Sequence, residues 1–382
     1  MRSLPPLPAC QEQKNSVYFF EIQAKLVDFA VEGERVMPGI SLGIDLGTSW
    51  VTIYVPGRGV VLREPAVIAV DKQTDKMIAC GQEAFDMLGR TPDSIMAIRP
   101  MSKGVISEYD YAEKMLRTFV RRVCAYKVMK PRVAVSIPAA VTEVEQRSVV
   151  EAVLAAGTRR VVLIDESVAA AVGAGISIDQ PYGSMVVNIG AGTTNIAVLS
   201  LKGIASSISV RVGGNDIDEA IVRYMHTRYN HVIGLQTAEQ VKINIGCALP
   251  REDNAVMAVK GRNVVSGLPC LQKVSAADIC EAIREPVGEI LSSIQRVLEN
   301  TPPELAGDIL VGGICMTGGG SQLNGMVHAV SLFTGVKCRL ADDPTDCVAI
   351  GTGKSLKYVG MMFSGVYDVG QFSYPLSDSA RL

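Results

Sequence analysis

Apolar positions along the chain follow two periods. Near-continuous apolar runs read as buried strands at 41–55 (SLGIDLGTSWVTIYV), 60–70 (VVLREPAVIAV), 131–139 (PRVAVSIPA) and 161–167 (VVLIDES). A helical period lies between them, around 108–123 (EYDYAEKMLRTFVRRV) and over 142–157 (TEVEQRSVVEAVLAAG), where Gly157 supplies a stop. Strands alternating with helices predict an α/β fold. The stretch 183–200 (GSMVVNIGAGTTNIAVLS) then repeats the logic of 41–55: strand, Gly/Thr turn, strand. Such recurrence predicts an internal duplication, two α/β halves each presenting one glycine-rich hairpin. A third glycine cluster, 309–330 (ILVGGICMTGGGSQLNGMVHAV), reads as a strand, a glycine turn and a helix start. In open α/β sheets these turns collect at the carboxyl ends of strands, where ligands bind.

Residues 1–40 read as an appendage. A polar, Pro-rich start precedes a stretch whose Glu21, Lys25, Asp28 and Glu32 share one helical stripe, with Phe19, Ile22, Leu26 and Phe29 on another. The mostly acidic stripe has the wrong sign for anionic lipid, which favours docking on protein over anchoring in a membrane.

Composition narrows the class. A length of 382 residues suggests more than one domain, and 48% hydrophobic with 20% charged residues suits a globule. The net charge of −2 offers no basic excess for nucleic acid. Nine cysteines without framework spacing, and only three histidines, point to free thiols in a reducing compartment and away from a zinc site. No apolar run reaches the roughly 18 residues of a spanning helix, and the start does not read as a signal peptide. The expectation is a cytoplasmic protein able to touch a membrane from one side.

The glycine turns suit a triphosphate. Phosphate oxygens need backbone N–H groups at close range, which Gly47, Gly190 and Gly192 permit, and Thr48, Ser49, Thr193 and Thr194 add hydroxyl donors. Asp45 is placed to supply a carboxylate to Mg²⁺ through water, or simply to cap its turn. Gly318, Gly319 and Gly320 would let backbone pack against a flat base.

These residues carry a resemblance. DLGTS (45–49), IGAGTT (189–194) and TGGGSQL (317–323) look like the phosphate and adenosine motifs of the actin, heat-shock-chaperone and sugar-kinase superfamily. GRGVVLREPAV (57–67), against GKGIVLNEPSV in the family, is similar to the bacterial actin MreB. So are LGRTPDSIMAIRPMSKGVIS (88–107), TEVEQRSV (142–149), VRVGGNDIDEAI (210–221), TAEQVKINIG (237–246) and ADDPTDCVAIGTGKSL (341–356). The likeness spans about 41–358.

What the resemblance implies is an actin-like fold, with duplicated ribonuclease-H-like domains flanking a nucleotide cleft. The implied division is an extension at 1–40, domain I at 41–180 plus 335–358, domain II at 181–334 and a tail at 359–382. It implies binding of ATP and Mg²⁺ through Thr48, Ser49, Trp50, Gly190, Ala191, Gly192, Thr193, Glu239, Gln240, Val241, Lys242, Gly318, Gly319, Gly320, Ser321 and Gln322. Asp45 and position 188 would hold the metal through water. Glu145 would orient the attacking water; on spacing alone, Thr142-x-x-Glu145 is also a helix capping box. Glu239 and Lys242 are also spaced as an i,i+3 ion pair on a helix opened by Thr237. Val128 and Met129 match a loop that inserts into membrane.

Three residues depart from the family pattern. Asn188 stands where the family has Asp, keeping the shape without the charge, which predicts weaker Mg²⁺ binding and slow hydrolysis unless a neighbour compensates. Asn195 replaces an acidic residue. Trp50 replaces Asn and either narrows the cleft or packs beneath it. The resemblance thus implies a filament-forming cytoskeletal ATPase of paired protofilaments at the membrane's inner face, organising cell-wall synthesis with partners of the RodZ and MreC type. The alternative is a hydrolysis-deficient scaffold or regulator of a paralogous filament. The 25 or so residues after the core leave no room for a chaperone's substrate domain, and no acceptor motif for a kinase appears.

Overall fold

The structure, a computed structural model, describes residues 40–124, 130–253, 255–359 and 364–368. The chain divides into two units, Met1–Gly39 and Ile40–Leu382, and all described residues belong to the second. The helical stripe read within 1–40, the Val128–Met129 loop and nearly all of the 359–382 tail lie outside the described residues. Among the described residues no helix is long and apolar enough to cross a membrane.

Two mixed sheets organise the second unit. The first has six strands in the order Val366–Asp368, Arg160–Asp165, Arg132–Ile137, Ser41–Leu46, Trp50–Val55, Gly59–Pro65. The second has five: Gly203–Val210, Thr194–Ser200, Ser184–Ile189, Ile314–Thr317, Cys338–Leu340. Each is built the same way. A glycine-turn hairpin, Ser41–Leu46 with Trp50–Val55 or Ser184–Ile189 with Thr194–Ser200, pairs antiparallel within itself, and its first strand pairs parallel with a later one. The recurrence read at Asp45 and Asn188 is this repeated unit.

The strands are nearly continuous in apolar residues because both faces of each sheet are covered. On one face of the first sheet, Leu42, Ile44, Val51 and Ile53 pack with Met115, Leu116 and Phe119 of the helix Tyr109–Cys124 and with Val149 and Val153 of Glu143–Ala155. On the opposite side a separate cluster joins Ala134 and Ile164 of the first sheet to Val186, Ala197 and Leu199 of the second. The helix Glu166–Gly173 (ESVAAAVG) and Val348 of Cys347–Lys354 (CVAIGTGK) belong to that cluster and so lie between the sheets. Only small residues fit there. A Cβ on Gly351 would sit 1.7 Å from the Ala169 carbonyl oxygen, and one on Gly173 would sit 1.8 Å from that of Cys347.

Four readings from the sequence need correction. Ile309–Gly312 is not strand but the end of the helix Pro303–Gly312, which opens on a proline and stops at Gly313 (φ 79°), so the strand is only Ile314–Thr317. A short apolar run has no period of its own to tell helix from strand. The helix carrying Glu239 runs Leu235–Ile245 and is preceded by Gly234, so Thr237 lies inside it. Cys338–Leu340 pairs with Ile314–Thr317, so the chain stays with the second sheet beyond residue 335. Val366–Asp368, read as part of a tail outside the core, adds an edge strand to the first sheet, with Arg160 bound to Asp368.

The contact between the two central helices is testable. Gly351→Ala forces a methyl group against backbone that cannot rotate away, and overpacking of this kind costs about 1–3 kcal/mol or more. We expect a melting temperature lower by several degrees, read by calorimetry, whereas Gly288→Ala, with open space at its Cβ position, should leave it nearly unchanged or raise it. Equal stability of Gly351→Ala and the natural chain would show that the helices do not pack this tightly.

Candidate functional site

The three glycine turns meet at one cleft of about 680 Å³. Two of them touch: a Cβ on Gly192 would lie 2.3 Å from the Thr48 hydroxyl. The third locks onto the second, since Gly318 has φ 82° and a Cβ there would lie 2.3 Å from the Ile189 carbonyl oxygen. These glycines therefore bring the turns together before any ligand arrives, an additional reason for them beyond close approach of phosphate.

The cleft is lined by Asp45, Thr48, Ser49, Trp50, Asn188, Gly190, Ala191, Gly192, Thr193, Glu239, Lys242, Gly318, Gly319, Gly320 and Gln322 of the residues proposed from the sequence. Five others fall elsewhere. Val241 is fully buried in the second half's core. Ser321 is buried, its hydroxyl donating to the Thr317 carbonyl at 2.5 Å. Both sit on the inner side of their short helices, one residue from those that line the cleft. Gln240 points to a separate cavity beside Phe85 and Asp86. Thr194 is fully buried, its hydroxyl donating to the Val212 carbonyl at 2.8 Å.

Glu145 is the fifth. Its carboxylate accepts from the Thr142 backbone N–H (2.7 Å) and hydroxyl (3.0 Å), while the Thr142 hydroxyl accepts from the Glu145 N–H (3.3 Å): the capping box is formed. Its other oxygen accepts from Arg211 at 3.2 Å. The Thr142 backbone hydrogen bond, the largest influence, holds this carboxyl below the usual range.

Polar groups at the strand ends form the floor. Asp45 accepts from the Ser136 hydroxyl at 2.9 Å. Next to it lies Glu166, which had not been singled out. The strand Arg160–Asp165 runs straight into the helix Glu166–Gly173, with Asp165 capping that helix through the Ser167 N–H at 2.8 Å. Glu166, the first helical residue, is left facing the cleft. An acidic residue one position past a strand's carboxyl end was the available signal. The Asn188 amide donates to Glu166 at 2.8 Å, and its carbonyl oxygen accepts from the Thr317 hydroxyl at 3.1 Å. The amide is thus fully engaged and 2% exposed. A carboxylate at 188 would face the Glu166 carboxylate across that distance.

Burial pushes Glu166 up to about 8, helped by the charges of Asp45 and Asp165; burial likewise lifts Asp45 to about 6, against the Ser136 hydrogen bond. Two carboxylates that repel their own ionisation this way fit a divalent cation, which would relieve both. No group of three or more His, Cys, Asp or Glu side chains suited to a metal occurs among the described residues. The donor set therefore fits Mg²⁺ completed by waters and phosphate oxygens rather than a closed protein cage.

Two open readings are decided here. Lys242 does not pair with Glu239; its ammonium donates to Asp218 (2.9 Å) and to the Gly214 carbonyl (3.0 Å), tying two helices of the second half. Trp50 is 42% exposed and walls the cleft instead of packing beneath it, with the Arg63 guanidinium 5.5 Å from its ring centroid.

A family model described as MreB/Mbl protein matches residues 39–363. The Cell shape-determining protein MreB of Escherichia coli (strain K12) is 44% identical over 333 residues, 86% of this chain and 96% of that protein. The Cell shape-determining protein Mbl of Bacillus subtilis (strain 168) is 43% identical over 316 residues, 82% and 95%. Among solved structures, MreB 5 of Spiroplasma citri bound to AMPPNP superposes with a TM-score of 0.80 at 34% identity, covering 85% of this chain and 97% of that one. The MamK double helical filament matches at TM-score 0.70 with 19% identity, a likeness of fold alone. The fold is actin-like.

The crowded carboxylates predict a pH dependence. A folded-state value raised above about 4.5 means that Glu166 holds its proton longer in the folded chain, so its contribution is full below that pH and is lost as pH rises towards 8; Asp45 adds to the lower part of this window. In chelator, thermal stability should fall across this range, and Mg²⁺ should restore it chiefly at the alkaline end. Glu166→Gln should flatten the profile. An unchanged slope in that variant would mean that these acids are not crowded.

Proposed function

The chain belongs to the MreB/Mbl family, and on that premise we propose that it is an ATP-binding, filament-forming bacterial actin that hydrolyses its nucleotide slowly. The observation that carries the proposal is the meeting of three glycine turns with the Asp45 and Glu166 carboxylates in one cleft.

The backbone at Thr48–Ser49 and Gly190–Thr193 holds the phosphates from two sides. Gly318, Gly319 and Gly320 back the base, and Glu239 faces the ribose. Asp45 and Glu166 hold Mg²⁺ through water, with the Asn188 carboxamide steering Glu166 by its hydrogen bond. Bound there, Mg²⁺ would neutralise charge on the phosphates. Glu145 orients the attacking water once it leaves its hydrogen bonds to Thr142 and Arg211. Slow turnover follows from two features: position 188 carries no charge, and the Glu145 carboxylate is already occupied by its helix cap and by Arg211 from the other half. The same two features favour a second reading, a nucleotide-bound scaffold or regulator of a paralogous filament that hydrolyses nothing.

At the level of the cell we propose self-association into paired protofilaments, a cytoplasmic location against the membrane through Val128 and Met129, and organisation of cell-wall synthesis with RodZ- and MreC-type partners. The relatives' role in determining cell shape supports this. The net charge of −2 supports no role on nucleic acid.

Phosphate release from Mg²⁺-ATP is the direct test. It should be slow and should rise about tenfold or more in Asn188→Asp, because a charge-assisted contact is worth about 1.5–3 kcal/mol. In chelator the same variant should be less stable than the natural chain, with two carboxylates face to face. Ordinary rates in the natural protein would remove the slow-turnover reading. Glu145→Gln keeps an acceptor for the Thr142 N–H and so preserves the cap. It should abolish residual turnover while leaving ATP bound, and unchanged turnover would return Glu145 to a purely capping role.

Electron microscopy of the purified chain with ATP on anionic liposomes should show membrane-bound filaments. Their absence under every nucleotide condition would defeat the filament reading.

A further inference from the structure

We propose that Arg63 is a nucleotide-binding residue of this chain, a built-in cation that contacts the phosphates and lets ATP bind with little dependence on Mg²⁺. The inference rests on the nucleotide reading of the cleft and adds a residue and a metal requirement to it.

Its placement follows from strand register. Asp45 pairs with Thr52, and Thr52 with Arg63, so the three form one row across adjacent strands. Cross-strand partners share a face of the sheet, and all three line the cleft. Strands about 4.8 Å apart put the Arg63 backbone about 10 Å from that of Asp45, within reach of an anion held beside that carboxylate. The Arg63 charge is felt there, since it opposes the rise in the Asp45 pKa.

Arg63 is also held ready rather than used up. Its guanidinium carbon lies 5.5 Å from the Trp50 ring centroid, a cation–π contact that holds the group beside the ring. Among the described residues its one ionic partner is Asp346, 3.5 Å away, and that buried carboxylate oxygen has no hydrogen-bond partner there. No hydrogen bond from the guanidinium occurs among the described residues. A planar fork of five N–H donors, held by an aromatic face and an ion pair at the side of a cleft with glycine turns, suits a phosphate bidentately.

Charge balance points the same way. The Asn188 side chain is neutral and bound to Glu166, so the cleft holds less negative charge for a metal while Arg63 supplies positive charge of its own. The family motif that 57–67 resembles has Asn, not Arg, at this position.

The test is calorimetric titration of the full chain with ATP and with adenosine, each in Mg²⁺ and in EDTA. The natural chain should bind ATP in EDTA within about tenfold of its affinity in Mg²⁺. Arg63→Gln should weaken ATP in EDTA by about tenfold or more, weaken it less in Mg²⁺, and leave adenosine unchanged. Arg63→Lys, which keeps charge but loses the fork, should recover part of the loss. Melting temperatures near that of the natural chain are expected for both variants, because Arg63 is on an edge strand and 41% exposed in its side chain. The proposal is overturned if Arg63→Gln binds ATP in EDTA as the natural chain does, or loses ATP and adenosine equally. If the natural chain binds no nucleotide even in Mg²⁺, the nucleotide reading falls and takes this inference with it.

Discussion

Close packing of two short helices between two sheets is the constraint on which the site depends. Glu166–Gly173 and Cys347–Lys354 approach until Gly351 meets the Ala169 carbonyl and Gly173 meets that of Cys347, while Gly43 of the first strand meets the backbone of Gly353. No side chain larger than hydrogen fits at these points. Because the contact is backbone on backbone, it fixes the height of each element with little slack. The helix Glu166–Gly173 starts where its strand ends, so its position sets where Glu166 stands against Asp45. Interior packing with no chemistry of its own thus decides the geometry of the acids at the cleft.

Electrostatics in that cleft work by substitution between neighbours. Asp45 stands close enough to Glu166 to oppose its ionisation. With an amide at 188, a hydrogen bond of 2.8 Å takes the place of a third repulsion. The Asn195 side chain acts in the same direction on Glu166. Read singly, each asparagine looks like a lost metal contact. Read together, both hydrogen-bond Glu166 and favour its charged form, as a second carboxylate for the proposed metal would need. Trp50, Arg63 and Asp346 form a second group at the cleft, where the Arg63 guanidinium lies between the Trp50 ring and the Asp346 carboxylate.

Under the proposed function, Glu145 carries a structural and a chemical role that exclude each other at any moment. Its cap on the helix Glu143–Ala155 and its pair with Arg211 use both oxygens. Arg211 follows the strand Gly203–Val210 of the second sheet, so this pair spans the two halves, as does the bond from Lys103 to Asp216. Any change in the angle between the halves would reach the Glu145 carboxylate through Arg211. The helix cap and the contact between the halves thus share one carboxyl group, through which the proposed water activation would be coupled to both.

The amino-acid sequence by itself determined whatever depends on neighbours a few positions apart. The two hairpins around Asp45 and Asn188, the cap at Thr142 and the family motifs all lie within short windows, where turn chemistry and apolar period act locally. Where period alone could not discriminate, as at Ile309–Gly312, a helix end read as strand. Tertiary structure decided what comes from distant parts of the chain: that Glu166 completes the acid pair, that Asn188 serves Glu166, that Lys242 turns to Asp218 and away from Glu239, and that Arg63 faces the cleft beside Trp50. Hydrogen bonds and charge act through space with no preference for sequence separation, so these partners exist only once both sheets have closed on the helices between them.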